Sequence, residues 1–169
     1  MRSGDTIASP PIGQSFTFLA TAEETQGELL RLEARLEPGA FIPPHVHRCQ
    51  EERFEVLEGE GEFLVGRKRR RVGPGDALTV PARRAHAFRT LGGGARLVAE
   101  LRPALDTAEL FAALFALGRA GRVNRLGAPG PREVATLMHR HPDAFFFLPV
   151  IPPAAQLALS RPFGTREAA

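Results

Sequence analysis

The sequence predicts an all-β fold, an antiparallel β-barrel followed by C-terminal α-helices, on three observations. Short segments that alternate apolar and charged residues recur from about residue 14 to about residue 102. Turn residues punctuate them, and helical periodicity appears only after Pro103. A length of 169 residues with 43% hydrophobic content suffices for one core. Residues 1–103 are therefore expected as the barrel and 104–169 as a helical extension packed on it in the same domain.

The clearest strand covers residues 28–36, where Leu30, Leu32, Ala34 and Leu36 alternate with Leu29, Arg31, Glu33 and Arg35. Pro38-Gly39 ends it. Glu58-Gly59-Glu60-Gly61 is expected to mark a tight reversal, and Gly73-Pro74-Gly75-Asp76 another before a strand at 77–80. Strands at 86–91 and 95–101 are expected to form a hairpin around Gly92-Gly93-Gly94, where glycine supplies positive φ. Beyond Pro103, Asp106 or Thr107 caps a helix whose Leu110, Leu114 and Leu117 share a face, ending near Gly118. A second helix runs from Pro131 to about His139 and stops at His141-Pro142, and a third is expected from Pro152-Pro153 through Leu159. The tail, 164–169, has little apolar content to fix it.

Composition excludes several classes. The net charge is only +3, and the pI of about 10.3 reflects basic residues that are nearly all Arg. The densest basic run, Arg67-Lys68-Arg69-Arg70-Arg71, has no interleaved aromatic residue to stack on bases and lies between a strand-like segment and a turn, so it reads as an exposed hairpin rather than a nucleic-acid site. About 13 residues precede the first expected strand, too few for a helix-turn-helix. No apolar run approaches the roughly 20 residues of a membrane span, and a lone Cys49 forms no internal disulfide, so a cytoplasmic, reducing location is expected.

The chemistry lies in four residues. His45 and His47 are two apart, so on an extended strand both imidazoles face one side. After a turn near residues 48–50, Glu52, Phe54 and Val56 share the inward face of the next strand while Arg53, Glu55 and Leu57 point away; Glu51 has the outward parity. His86 leads another strand with Phe88 and Thr90 on its face. Three histidines and one carboxylate suit one divalent transition metal ion, iron, manganese, nickel, copper or zinc, and are too rich in imidazole for calcium or magnesium.

Spacing adds a family. Gly39, five residues, His45-Val-His47, four residues, Glu52, six residues and Gly59 follow in order; so do Gly75, five residues, Pro81 and then His86. Both runs match the two motifs of the cupin superfamily, and the chain resembles its small single-domain, metal-binding members over roughly residues 14–102. The resemblance implies a double-stranded β-helix (jelly-roll) barrel, His45, His47, Glu52 and His86 as metal ligands, and pairing as a homodimer, through the 14–19 segment or the C-terminal helices. Two positions depart from the family: its usual glycine two after the proline is Arg83, and its frequent final asparagine is Thr90. Both bear on turn geometry and pocket lining rather than on the ion.

By parity the pocket is expected to be lined by Phe41, Phe54, Val56, Phe88 and Thr90, with Arg83 placed to hold a carboxylate if it faces inward. Cys49 is expected in packing or in a loop rather than as a sulfur ligand. His139 and His141 fit a helix end, where His interacts with the dipole, and Phe145-Phe146-Phe147-Leu148-Pro149 fits packing on the barrel. The leading functional expectation is a dioxygenase-type oxidoreductase acting on a small organic substrate, with Glu52 shifting between ligand and proton acceptor. A metal-containing binding or sensing module and a redox-inert metal isomerase or hydrolase are the alternatives.

Overall fold

The computed structural model describes residues 1–124 and 127–144. In chain order it runs β1 (Thr6–Ser9), a 3-10 turn (Pro10–Ile12), β2 (Gln14–Ala20), β3 (Leu30–Leu36), β4 (Phe41–His45), β5 (Glu51–Val65), β6 (Lys68–Val72), β7 (Ala77–Val80), β8 (His86–Arg102), α1 (Thr107–Arg119) and α2 (Pro131–Arg140). All strand pairs are antiparallel.

Two long strands organise the barrel. The first half of β5 and the second half of β8 belong to a layer ordered β1-β2-β3-β8-β5-β7. The second half of β5 and the first half of β8 belong to a facing layer ordered β4-β8-β5-β6. No hydrogen-bonded pairing joins the outer strands of the two layers, so the sheet is rolled but not closed. The apolar sides meet inside, where Phe18, Leu30, Leu32, Phe63, Leu97 and Leu101 are buried.

The glycine segments behave differently from expectation. Neither the 58–61 run nor the 92–94 run reverses the chain; both are bends within continuous strands. The register shifts between Val56 and Glu58 and between Gly59 and Glu60, with Gly59 opposite Ala95 and Glu60 opposite Leu91. The bends thus lie side by side. Each carries an irregularity that flips inward parity: Glu52, Phe54 and Val56 are buried before the bend in β5, and Gly61 and Phe63 after it. In β8, His86, Phe88 and Thr90 give way to Ala95, Leu97, Ala99 and Leu101. Gly59 has φ +76°, and a Cβ there would lie 2.1 Å from the Gly94 carbonyl oxygen. Gly59→Ala is therefore expected to cost at least about 1–3 kcal/mol of stability, measured by denaturant unfolding.

Other elements stand close to expectation. Strand β3 shows the alternation read at 28–36, and the turn at 73–76 precedes β7. The basic run forms edge strand β6 with its Lys and Arg side chains exposed, and Arg69 and Arg70 pair with Glu62 and Asp76. Such charges suit an edge that should not pair with another chain. An additional strand, β1, precedes the expected first one and covers β2, so the 14–19 segment is not an open edge.

Helix α1 lays Phe111 and Phe115 edge-on against Phe16 of β2, with ring centroids 5.2 and 4.7 Å away. Leu110 packs with Leu137 of α2 and Ala144. His141, at the end of α2, donates from Nδ1 to the Asp106 carboxylate at 2.7 Å, so the acid at the N-terminus of α1 ties the two helices together instead of capping its own. His139 is exposed. The expected third helix, the 164–169 tail and the 145–149 stretch lie outside the described residues.

Candidate metal centre

His45 ends β4, His47 follows it in the connecting loop, Glu52 is the second residue of β5 and His86 the first of β8. Pairing brings them together, since His45 lies opposite His86 and Glu52 opposite Leu101 and Val80. One ligand-type atom from each of the four residues falls within 4.8 Å of all the others. Atoms bonded at about 2.0–2.2 Å to one ion are at most about 4.4 Å apart, so a contraction of a few tenths of an ångström would complete the fit.

The hydrogen bonds fix the rings. Nδ1 of His45 lies 2.8 Å from the Pro43 carbonyl oxygen, and Nδ1 of His86 lies 3.2 Å from that of Arg84. Nδ1 of His47 lies 2.9 Å from the Ala144 carbonyl oxygen and 3.1 Å from Gln50 Oε1. Carbonyl oxygens only accept, so each Nδ1 carries the proton and each ring is left to present Nε2. Glu52 Oε2 stands 3.1 Å from Nε2 of His47 and 2.9 Å from Nε2 of His86. Three imidazole lone pairs and a carboxylate converging in a buried site require either a cation or protons shared among them. Rings anchored through Nδ1 to carbonyls are the arrangement that orients metal-binding histidines.

The electrostatics agree. Burial pushes His45 well below the usual histidine range, and the neighbouring His86 and His47 push it further. Burial also opposes charge on His47, but the Glu52 charge and hydrogen bonds to Glu52, Ala144 and Gln50 outweigh it and raise its pKa. For Glu52, burial alone would raise the carboxyl; the His47 charge and hydrogen bonds from His47 and His86 overcome it and hold the group ionised. In the metal-free protein the Glu52 contribution to stability is present above about pH 4.5 and lost as pH falls through its lowered pKa. The His47 contribution is present below about pH 6.5 and lost as pH rises through its raised pKa. A metal ion bound here would replace the His47 proton, so stabilisation by added zinc is expected to be larger at pH 8 than at pH 6. Thermal unfolding at the two pH values checks this, and a larger shift at pH 6 would contradict it.

The comparisons with known proteins fit this geometry. Residues 32–99 match the model of the cupin domain. The barrel is a cupin domain. The structure of KdgF from a Halomonas species superposes on the cupin barrel with a TM-score of 0.55, at 23% identity, over 62% of this chain and 90% of that one. A predicted oxalate decarboxylase from Thermotoga maritima superposes with a TM-score of 0.52, at 20% identity, over 57% of this chain and 97% of that one. These likenesses concern the fold. In sequence, quercetin 2,3-dioxygenase of Bacillus subtilis is 28% identical over 92 residues, 54% of this chain and 27% of that protein. Dimethylsulfoniopropionate lyase DddQ of Ruegeria pomeroyi is 45% identical over 53 residues, 31% of this chain and 26% of that protein. The matched segments span about a quarter of the length of either relative.

The cupin cavity, about 110 Å³ in volume, has His45, His47, Glu52 and His86 in its wall. Phe54 and Phe88 line it as expected from parity, together with Phe16, Leu32, Phe63 and Leu97, and α1 contributes Phe111, Leu114 and Phe115. Four expected lining residues lie elsewhere. Phe41 stands opposite Arg89, on that residue's side of the sheet, and Ile42 takes the cavity position opposite Phe88. Val56 and Thr90 are buried near the bends, away from the cavity, and the Thr90 hydroxyl donates to the Glu37 carbonyl. Arg83 is exposed with φ +64°, in the left-handed region that favours glycine, and its backbone N–H donates to the His47 carbonyl at 2.7 Å. Cys49 is exposed.

Proposed function

We propose that the chain is a metal-dependent oxidoreductase of dioxygenase type acting on a small organic molecule with an apolar body. The observation that carries this reading is a largely buried three-imidazole, one-carboxylate cluster set in the wall of a cavity otherwise lined almost wholly by aliphatic and aromatic side chains. His45, His47, His86 and Glu52 would hold one ion of iron, manganese, nickel, copper or zinc. When bound, the ion supplies Lewis-acid polarisation and, if redox-active, electron exchange with oxygen.

The lining restricts the substrate. No Lys or Arg stands among the described lining residues, so a phosphate or a second carboxylate would lose its hydration without gaining a counter-charge. The substrate is therefore uncharged apart from the group that meets the ion. The volume is of the order of the roughly 150 Å³ that accommodates benzene in an engineered cavity. The Phe16, Phe54, Phe63 and Phe88 side chains would exclude water from this body. Among the described lining residues Glu52 is the carboxylate placed to take up a substrate proton.

The similarity to quercetin 2,3-dioxygenase over 54% of the chain supports oxygen chemistry. The higher identity of the shorter segment shared with a lyase favours, as a second reading, metal-assisted elimination that consumes no oxygen. Elemental analysis of protein purified without added metal, beside the double variant His45→Ala, His47→Ala, tests the site. We expect about one equivalent of a transition metal in the natural protein and none in the variant. Absence of metal from both, even after reconstitution, would refute the reading. Oxygen uptake with apolar substrates bearing one metal-binding oxygen then separates oxidation from elimination. A homodimer in a reducing cytoplasm belongs to the same proposal, and light scattering tests its size.

A further inference from the structure

Gln50 is fully buried and has no place in the ligand set. Its side-chain Nε2 lies 2.8 Å from the Pro103 carbonyl, 3.1 Å from that of Ala104 and 2.8 Å from the Thr107 hydroxyl. Two of these partners are carbonyls that only accept, so the amide orientation is determined: nitrogen toward the β8–α1 junction, oxygen toward Nδ1 of His47 at 3.1 Å. The same Nδ1–H reaches the carbonyl of Ala144, beyond α2.

His47 differs in this from the other two histidines. Among the described residues, Nδ1 of His45 and Nδ1 of His86 each donate to a carbonyl two residues earlier in the chain. The His47 acceptors come from a side chain anchored at the start of α1 and from a carbonyl 97 residues away in sequence. We propose that Gln50 is a positioning residue for the metal centre: with the Ala144 carbonyl it holds the His47 ring so that Nε2 is presented to the ion. The proposal rests on the metal-binding reading above. An amide that merely satisfies the Pro103 and Ala104 carbonyls would hold the chain together without affecting the ion.

The test uses full-length chains purified metal-free: the natural protein, Gln50→Met, Gln50→Glu and Thr107→Val. Each is titrated with cobalt(II), with the visible absorption spectrum, the thermal midpoint and, before metal is added, the nuclear Overhauser contacts of the carbon-bound His47 ring protons recorded. Gln50→Met removes the acceptor and is expected to weaken cobalt affinity about 10- to 100-fold with an altered spectrum. Thr107→Val removes only an anchor, and Gln50→Glu keeps an acceptor oxygen and adds a negative charge behind the His47 ring; both are expected to lower the thermal midpoint, with cobalt affinity within about threefold of the natural protein in Thr107→Val and no weaker than that in Gln50→Glu. Natural affinity and spectrum in Gln50→Met, or an equal loss in Thr107→Val, overturns the proposal. If Gln50→Met does not fold, a loss of affinity in Gln50→Glu as large as that predicted for Gln50→Met overturns it equally. If the natural protein binds no cobalt, the metal-binding reading falls, and the His47 ring orientation decides: changed nuclear Overhauser contacts of its carbon-bound ring protons in Gln50→Met but not in Thr107→Val sustain the positioning role, and unchanged contacts overturn it.

Discussion

In the Glu52→Gln variant, metal loading is expected to fall from about one equivalent to none, and the thermal stabilisation produced by added metal to vanish with it. The change is isosteric, so the void left is negligible. Its effect is electrostatic. Glu52 Oε2 faces Nε2 of both His47 and His86, at 3.1 and 2.9 Å, in a site that is nearly sealed from solvent. A neutral amide leaves a divalent cation with three uncharged imidazoles, raising the net buried charge from +1 to +2 with no nearby compensation. The amide N–H can moreover donate to one of the Nε2 lone pairs the ion needs. In the metal-free variant His47 loses the charge that holds its pKa up, so the site also stops binding the proton that the metal would displace. Elemental analysis and thermal unfolding with and without zinc measure both effects. Full loading of the variant would show that the carboxylate is not a ligand.

Phe63→Ala is expected to cost about 3–5 kcal/mol of stability, the range for removing a buried aromatic ring. At about 2–4 °C per kcal/mol for a chain of this size, the midpoint should fall by roughly 6–20 °C. Phe63 is 1% exposed and lies after the bend in β5, with ring centroids 4.7 Å from Phe54 and 4.6 Å from Phe88. It therefore joins the two layers: Phe54 belongs to one and Phe88 to the other. Because Phe63 also lines the cavity, the space it vacates merges with existing space instead of collapsing, which favours the upper part of the range. Equilibrium unfolding in guanidinium chloride measures the loss. A change below about 1 kcal/mol would mean that the layers hold together without this ring.

The candidate metal cluster was legible because strand parity and motif spacing converge on it. His45 and His47 share parity, Glu52 has the inward parity of β5, and the motif spacing selects the same residues. The alternating strands 28–36 and 77–80 and the first two helices were legible for a similar reason: their patterns are local. Parity also carried Phe54 and Phe88 to the cavity. It failed at Phe41, because β4 shifts register between Ile42 and His45, and at Val56 and Thr90, because inward-facing residues near the bends sit beyond the cavity. The glycine runs misled because a bend in a long strand and a tight hairpin demand the same positive φ; only the pairing of β5 with β8 on both sides of the bends distinguishes them. Gln50 gave no signal of its own. Its Nε2 anchors are backbone carbonyls and a hydroxyl more than 50 residues away, and periodicity does not report such contacts.

The adjacent bends in β5 and β8 constrain how this chain can change length. Insertions beside Arg67 at the β5–β6 hairpin or beside Glu23 and Glu24 between β2 and β3 would fall at exposed positions. Removing one residue near Gly59 would instead exchange inside for outside along the rest of β5, turning Phe63 toward water and Glu62 toward the core. Removing one from 92–94 would do the same between the two halves of β8, setting the side that carries His86 against the side that carries Leu97 and Leu101. Lineages that descend from this chain should therefore vary freely in hairpin length while keeping the distances from Glu52 to Phe63 and from His86 to Leu97 constant.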